Sequence, residues 1–280
     1  MNKYLNLIRV KQWTKNLFCF SGIIFGPNNF SLHLFVQSFQ TFLCFCFISS
    51  FVYVLNDIFD KEVDSKHDKK KHRPIASGLI NIPQASLIAI LFLIIGLLIV
   101  KNINNSVFYI ILAYLINNLF YNIFFKKLII IDVLSIALGF VFRLLSGIYS
   151  IGLVPTPWII LCTFFIALFL GFSKRRAELV ISNGEYLTRS TLKMYNINFL
   201  DSLINDAAFG SIISYSLFCS INHKSIGKLI TIPIVYFAIM HYKNLLFQNI
   251  HGEEPESTLL KDKTLLTSIF IWLFSYIYFQ

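Results

Sequence analysis

Apolar residues run along this chain in long blocks, without the one-faced or alternating patterns of a soluble domain. Phe42 to Phe59 and Ser86 to Val100 are apolar on all faces, so no stripe is set aside for water. A helix needs roughly 20 mostly apolar residues to cross a bilayer. The pattern predicts nine such spans, at roughly 16–35, 38–59, 84–100, 106–125, 131–150, 158–173, 203–220, 226–243 and 264–279. The first is weak and broken by Pro27. Short polar loops separate the spans, except at 60–83, 174–202 and 244–263, which are long enough to hold structure of their own. Strands of an outer-membrane barrel would alternate in blocks of about 10 residues. Helices, which satisfy their own backbone within lipid, are expected instead. The chain reads as all-α, one polytopic membrane domain over residues 1–280.

Composition agrees with this reading: 14% of residues are charged, against about 25% in soluble domains. The position of the charges adds an orientation. With the N-terminus in the cytoplasm, 20 of the 24 Lys and Arg residues lie on the inner side, including Lys3, Arg9, Lys11 and Lys15 ahead of the first span. The expected location is the inner (cytoplasmic) membrane, multi-pass. All 14 acidic residues also fall at the inner side or its helix ends. The positive-inside rule does not require that, so polar chemistry is expected on the cytoplasmic face. The net charge of +10 therefore speaks for the membrane and against a nucleic-acid partner. It would attract anionic lipid, at about 1 kcal/mol per basic residue, and concentrate anionic substrates. Cys19, Cys44, Cys46, Cys162 and Cys219 lie inside apolar blocks without metal-ligand spacing. They are expected to be small buried hydrophobes, with Cys44 and Cys46 on different helix faces. Met1 to Asn16 carries no apolar h-region, so the first span is expected to be retained.

The strongest chemical signal closes the second span: Asn56-Asp57-Ile58-Phe59-Asp60-Lys61-Glu62-Val63-Asp64. Asp57, Asp60 and Asp64 fall at i, i+3 and i+7, one face of a helix. Three carboxylates there repel each other at a membrane edge, where charge is already costly. A divalent cation removes that penalty. Magnesium takes hard oxygen ligands, usually one or two carboxylates with substrate phosphates and waters, and Asn56 could add an amide ligand or orient a carboxylate. Lys71, Arg73, Pro74 and Gly78 follow. Pro74 and Gly78 predict a turn into the third span, and Arg73 offers a fork suited to phosphate oxygens. Alone, that basic run would serve as an inside anchor.

Further polar clusters recur at span ends. Tyr121 to Lys126-Lys127 closes the fourth span, and Asp132 opens the next. Asp132, Gly139, Arg143 and Gly147 share a helical face expected to look into the bundle, with Arg143 about 16 Å along the axis from Asp132. An intramembrane arginine is a functional candidate, although bonding to backbone carbonyls or snorkelling would also account for it. Lys174-Arg175-Arg176 with Glu178 closes the sixth span, and Gly252-Glu-Glu-Pro255-Glu256 with Asp262 precedes the last.

Asn56-Asp57-x-x-Asp60-x-x-x-Asp64 followed by Arg73-Pro74 and Gly78 resembles the first aspartate motif of the UbiA superfamily of membrane prenyltransferases. Four further segments are similar to its decaprenyl-phosphate phosphoribosyltransferase branch. They are Lys11-Gln12-Trp13-Thr14-Lys15-Asn16; Tyr121 to Asp132 with Gly139-Phe140 and Arg143; Lys174-Arg175 with Ala177-Glu178-Leu179; and Gly252 with Pro255-Glu256 and Asp262. Phe125 and Asn122 depart from the branch, which usually has leucine and serine there.

The resemblance implies nine helices around a central cavity open to the membrane. It implies Mg2+ held by Asp57, Asp60 and Asp64, these with Asp132 forming the catalytic set. Substrate-binding positions would be Lys15, Asn16, Asn56, Arg73, Tyr121, Lys126, Arg143, Lys174 and Arg175. The implied reaction moves 5-phosphoribose from phosphoribosyl diphosphate to a polyprenyl phosphate, with the bilayer as partner and a homo-oligomer allowed. The alternative is prenyl transfer from a prenyl diphosphate to an aromatic acceptor. A carrier or channel for anionic lipids would need a polar path through the whole bilayer. Outer loops with three lysines and no acids argue against one.

Overall fold

A computed structural model of the chain describes residues 3–26, 31–66, 70–181, 190–221, 226–248, 258 and 261–279. Among them every regular element is helical. The N-terminal part consists of α1 (Lys3–Leu7), a 3₁₀ helix over Val10–Phe20 and α2 (Ser21–Phe25). Then come α3 (Leu32–Phe59), α4 (Lys61–Ser65), α5 (Ile82–Lys101), α6 (Asn105–Ile123) and α7 (Ile131–Ser150). The remainder is α8 (Pro157–Ile181), α9 (Ile197–Ile221), α10 (Thr231–Phe247) and α11 (Lys263–Tyr278).

Among the described residues, seven helices are long and apolar enough to cross a membrane: α3, α5, α6, α7, α8, α9 and the stretch Gly227–Phe247. The helix Lys263–Tyr278 is apolar but shorter, at 16 residues. This differs from the nine predicted spans mainly at the start. The block at 16–35 is not one helix: its described part is the end of the 3₁₀ helix plus α2, and α3 begins at Leu32, six residues before the predicted 38. Pro27, expected to break that span, lies outside the described residues. The sixth span was predicted to stop at 173, where charge begins, yet α8 continues to Ile181. Hydropathy marks where the apolar run ends. The helix itself persists because ion pairs described below neutralise its arginines.

Helix α5 shows what solvates these helices. Leu87, Ile90, Leu91, Ile94 and Leu98 form its exposed face, and Ala85, Ala89, Gly96 and Val100 are buried. Large side chains face outward and small ones inward, the inverse of a water-soluble helix. Close approach of backbones through small residues is how helices pack in lipid. On α3, Cys44 Sγ donates to the Gly96 carbonyl at 3.2 Å, whereas Cys46 Sγ accepts from Asn16 Nδ2 at 3.4 Å. The two cysteines do face different neighbours.

The chain forms two compact units. One comprises Met1–Phe125 with Phe142–Val154, the other Lys126–Val141 with Pro155–Gln280. In the first, Leu7, Val54, Ile75, Ile80, Ala85 and Ala89 form a buried apolar cluster beneath the end of α3. A second cluster is built on Cys19, Phe45, Ile48, Val107, Ile111 and Tyr114. In the other unit, Val133, Ala137, Phe169, Phe172, Leu200, Ile204 and Tyr242 anchor one core.

Candidate active site

The end of α3 builds the first centre. Asp60 closes α3, and its N–H bonds the Asn56 carbonyl at 2.9 Å. The chain continues as α4, with the Asp64 N–H on the Asp60 carbonyl at 2.8 Å. Helical bonding thus carries through the junction, which keeps Asp57 and Asp64 on one side. Both are buried, and both reach Arg73: Nη1 lies 3.0 Å from Asp57 Oδ1 and 2.5 Å from Asp64 Oδ2. Asp60 and Asn56 are half-buried.

Arg73 is placed by the predicted turn. Its carbonyl accepts from the Ser77 N–H at 2.9 Å, and the Ile80 N–H bonds the Pro74 carbonyl at 3.0 Å. Gly78 sits at φ 76, where a side chain would be strained. Ile75 and Ile80 pin this turn to the apolar cluster beneath.

A fourth partner comes from the N-terminus. Arg9 Nη2 donates to Asp57 Oδ1, and the Arg9 guanidinium lies over the Tyr53 ring, 5.1 Å from its centroid. Tyr53 and Asp57 are one turn apart on α3, so stacking and pairing use the same helix face. Arg9 has a left-handed backbone, φ 51 and ψ 51, which costs a residue with a Cβ roughly 1–2 kcal/mol.

Deeper in the same unit the 3₁₀ helix lines up its polar residues. With three residues per turn, positions three apart eclipse, so Trp13, Asn16 and Cys19 stack on one face. Trp13 Nε1 donates to Ser50 Oγ at 3.1 Å, and Asn16 Nδ2 donates to Ser49 Oγ at 3.3 Å. Asn16 Oδ1 accepts from Arg143 Nε at 2.7 Å. Arg143 Nη2 donates to Tyr114 Oη at 3.0 Å, and its guanidinium lies over the Tyr114 and Phe45 rings, 4.9 and 5.6 Å from their centroids. Gly147 permits this approach, because a Cβ there would collide with the Cys19 backbone. The Lys11–Asn16 motif therefore docks a tight helix and holds a buried arginine.

The second unit holds a different centre. Asp132, fully buried, accepts from Arg175 Nε at 2.8 Å on Oδ2 and from Tyr195 Oη at 3.3 Å on Oδ1. Arg175 Nη1 reaches Glu178 Oε2 at 2.9 Å. Tyr195 Oη in turn accepts from the Ile130 N–H at 2.7 Å, and Ile130 has φ 68, rare for a β-branched residue. Burial, then the negative charge of Asp132, pushes the Tyr195 hydroxyl up to about 12. Beside it, Arg176 Nε pairs with Asp201 Oδ1 at 2.6 Å. These pairs let α8 run on past its apolar stretch.

The structure thus brings Asp57, Asp64 and Arg73 together, Asn16 with Arg143, and Asp132 with Arg175. Lys15, Tyr121, Lys126 and Lys174 are half-buried. Asp262 is a helix cap: its Oδ1 accepts from the Leu265 N–H at 2.8 Å, and that bond, foremost, lowers its carboxyl pKa. Gly252, Pro255 and Glu256 lie outside the described residues. Sequence reasoning missed Arg9, Tyr114, Tyr195 and Asp201. Arg9 was legible only as a topology charge, and Tyr195 carried no signal at all.

Among the described residues no three His, Cys, Asp or Glu side chains gather as a metal site; of the expected trio, Asp57 and Asp64 are buried and Asp60 is half-buried. Asp57 and Asp64 do converge on one atom of Arg73. Two hard carboxylates of this kind suit a magnesium ion that completes its shell with substrate phosphates and water.

The described residues define a helical, multi-pass membrane protein with arginine–carboxylate centres at helix ends, and comparison with known proteins makes it a membrane-bound transferase. Residues 17–177 match the UbiA prenyltransferase family, and the chain belongs to it. It is 28% identical to the decaprenyl-phosphate phosphoribosyltransferase of Corynebacterium glutamicum, across 96% of this chain and 84% of that protein. It is 25% identical to the protein of the same name from Mycolicibacterium smegmatis, across 96% and 89%. A UbiA homologue from Archaeoglobus fulgidus, solved with GPP and Mg2+, shares the fold at a TM-score of 0.76, covering 99% of this chain and 98% of that one at 22% identity.

Proposed function

We propose that this enzyme transfers 5-phosphoribose from phosphoribosyl diphosphate to a polyprenyl phosphate, at the cytoplasmic face of the inner membrane and with magnesium. The ribose C1–O bond to diphosphate breaks, a bond from C1 to a lipid phosphate oxygen forms, and diphosphate leaves. The acceptor oxygen is already anionic, so no general base is needed. The observation that carries the reading is the supply of arginine. Arg9 and Arg73 cover the Asp57–Asp64 pair, and the buried Arg143 bonds Asn16 and Tyr114. This donor and acceptor bring three anionic groups, which need cations beyond a metal. Relatives of the corresponding name that align along nearly the whole chain support the same choice.

In this reading Asp57 and Asp64, with Asp60, hold the metal, and Asn56 orients them. Magnesium, when bound, supplies Lewis-acid stabilisation of the departing diphosphate, worth several kcal/mol. In the first unit Arg73, Arg143, Lys15, Asn16 and Tyr121 bind phosphate oxygens and oppose the repulsion between anions; Lys126 and Lys174 of the second unit are further phosphate-binding candidates. Asp132 and Arg175 satisfy each other, and they fix the start of α7, next to the turn that carries Lys126.

The test gives purified protein in detergent both donors, each with its matching acceptor, in magnesium. Lipid-linked product from phosphoribosyl diphosphate and polyprenyl phosphate is expected. Product only from a prenyl diphosphate and an aromatic acceptor would reject the reading in favour of prenyl transfer.

A further inference from the structure

Arg9 holds the most constrained position in the first centre. Its left-handed backbone follows Leu7, which is fully buried, and its guanidinium is fixed between the Tyr53 ring and Asp57. Strained backbone of this kind persists where the surroundings over-determine it. Arg73 contacts the same Asp57 oxygen from a second element. Two guanidinia thus meet at one oxygen of Asp57, and Arg73 also bonds Asp64.

Depth within this cluster is graded. The Asp57 and Asp64 side chains are 2% and 3% exposed, against 21% for Arg9 and 26% for Arg73. The arginines lie toward water, above the acids. Both guanidinia bond Asp57 at Oδ1, so a metal ion that binds this carboxylate meets two positive charges already on it and is favoured when one of them moves away. A displaced guanidinium needs another anion, and a diphosphate offers oxygens that match its fork.

We propose that Arg9 makes binding of metal and diphosphate cooperative at this centre. Paired with Asp57 it opposes the metal alone; transferred to the diphosphate it favours the metal–diphosphate complex. By linkage the coupling is reciprocal, so each ligand raises the affinity of the centre for the other by the same factor. The inference rests on the proposed reading of Asp57 and Asp64 as a metal–diphosphate site. It does not depend on which donor is used, because both candidates carry a diphosphate.

The experiment is calorimetry on the purified full-length protein. Magnesium alone and preformed magnesium pyrophosphate are titrated separately into wild type, Arg9→Gln and Arg9→Lys. Arg9→Gln should bind magnesium alone several-fold more tightly and magnesium pyrophosphate about tenfold more weakly. A merely structural role would weaken both, and a bystander would change neither; either result overturns the proposal. Arg9→Lys keeps the charge but loses the fork, and covers the case in which Arg9→Gln does not fold. It should keep weak binding of magnesium alone and lose several-fold affinity for the complex, and unchanged affinity for the complex would overturn the role of the guanidinium. Failure of wild type to bind magnesium pyrophosphate would remove the site reading as well. Normal wild-type binding with an unshifted ratio in the variants removes the Arg9 inference alone.

Discussion

The two units each hold an arginine–carboxylate centre, and the two are built in opposite senses. At the end of α3, two partly exposed arginines lie over the buried Asp57 and Asp64. Around Asp132 the buried Arg175 bonds two acids, and Tyr195 donates to the other Asp132 oxygen. The first arrangement can exchange partners with an incoming ionic ligand. The second lies deeper, with Asp132 and Arg175 bonded to each other and almost fully buried, and we read it as a structural lock. Both units use the same side chains, and depth separates an exchangeable site from a structural lock.

Substituting the acids should separate the two centres most sharply. Asp57→Asn and Asp64→Asn are each expected to lower turnover at least a thousandfold, roughly 4 kcal/mol of barrier, while the protein still inserts and melts near the wild-type temperature. Chelation by EDTA should stop wild-type turnover and magnesium should restore it. Full activity of either variant, or of wild type in chelator, would take the reacting centre away from the end of α3.

Arg175→Met probes the lock. It removes the guanidinium shared by Asp132 and Glu178, and breaking a buried pair from one side costs about 3–5 kcal/mol. A large fall in thermal midpoint is expected, in contrast to the aspartate variants of the first centre. A stable Arg175→Met protein that is merely inactive would show that this centre, too, meets substrate.

The smallest effect belongs to Tyr195→Phe, which deletes the hydroxyl that bridges Ile130 and Asp132. About 1–3 kcal/mol of stability should be lost. The folded hydroxyl is pushed up to about 12, from an unfolded value near 10. Its contribution is therefore fully present below about pH 10 and lost as pH rises from there toward 12. Melting curves of both proteins through that alkaline window should converge. A constant difference would mean that the hydroxyl is not the group responsible.

Much of this molecule is written in its sequence. Lipid-solvated helices follow from unbroken apolar blocks, because backbone groups in hydrocarbon have only helical partners, and the Asp57–Asp64 face follows from helical spacing. The turn at Arg73 follows from Pro74 and Gly78. Local pattern could not show that residues 10–20 wind as a 3₁₀ helix, since that geometry is held by Trp13 and Asn16 bonding to α3. Nor could it show that Arg9 reaches Asp57, 48 positions away, or that Tyr195 and Arg175 close around Asp132. A charge in the sequence reads as topology whatever it pairs with. Its partner is fixed only when packing brings distant helix ends together and burial makes an unpaired charge too costly to leave.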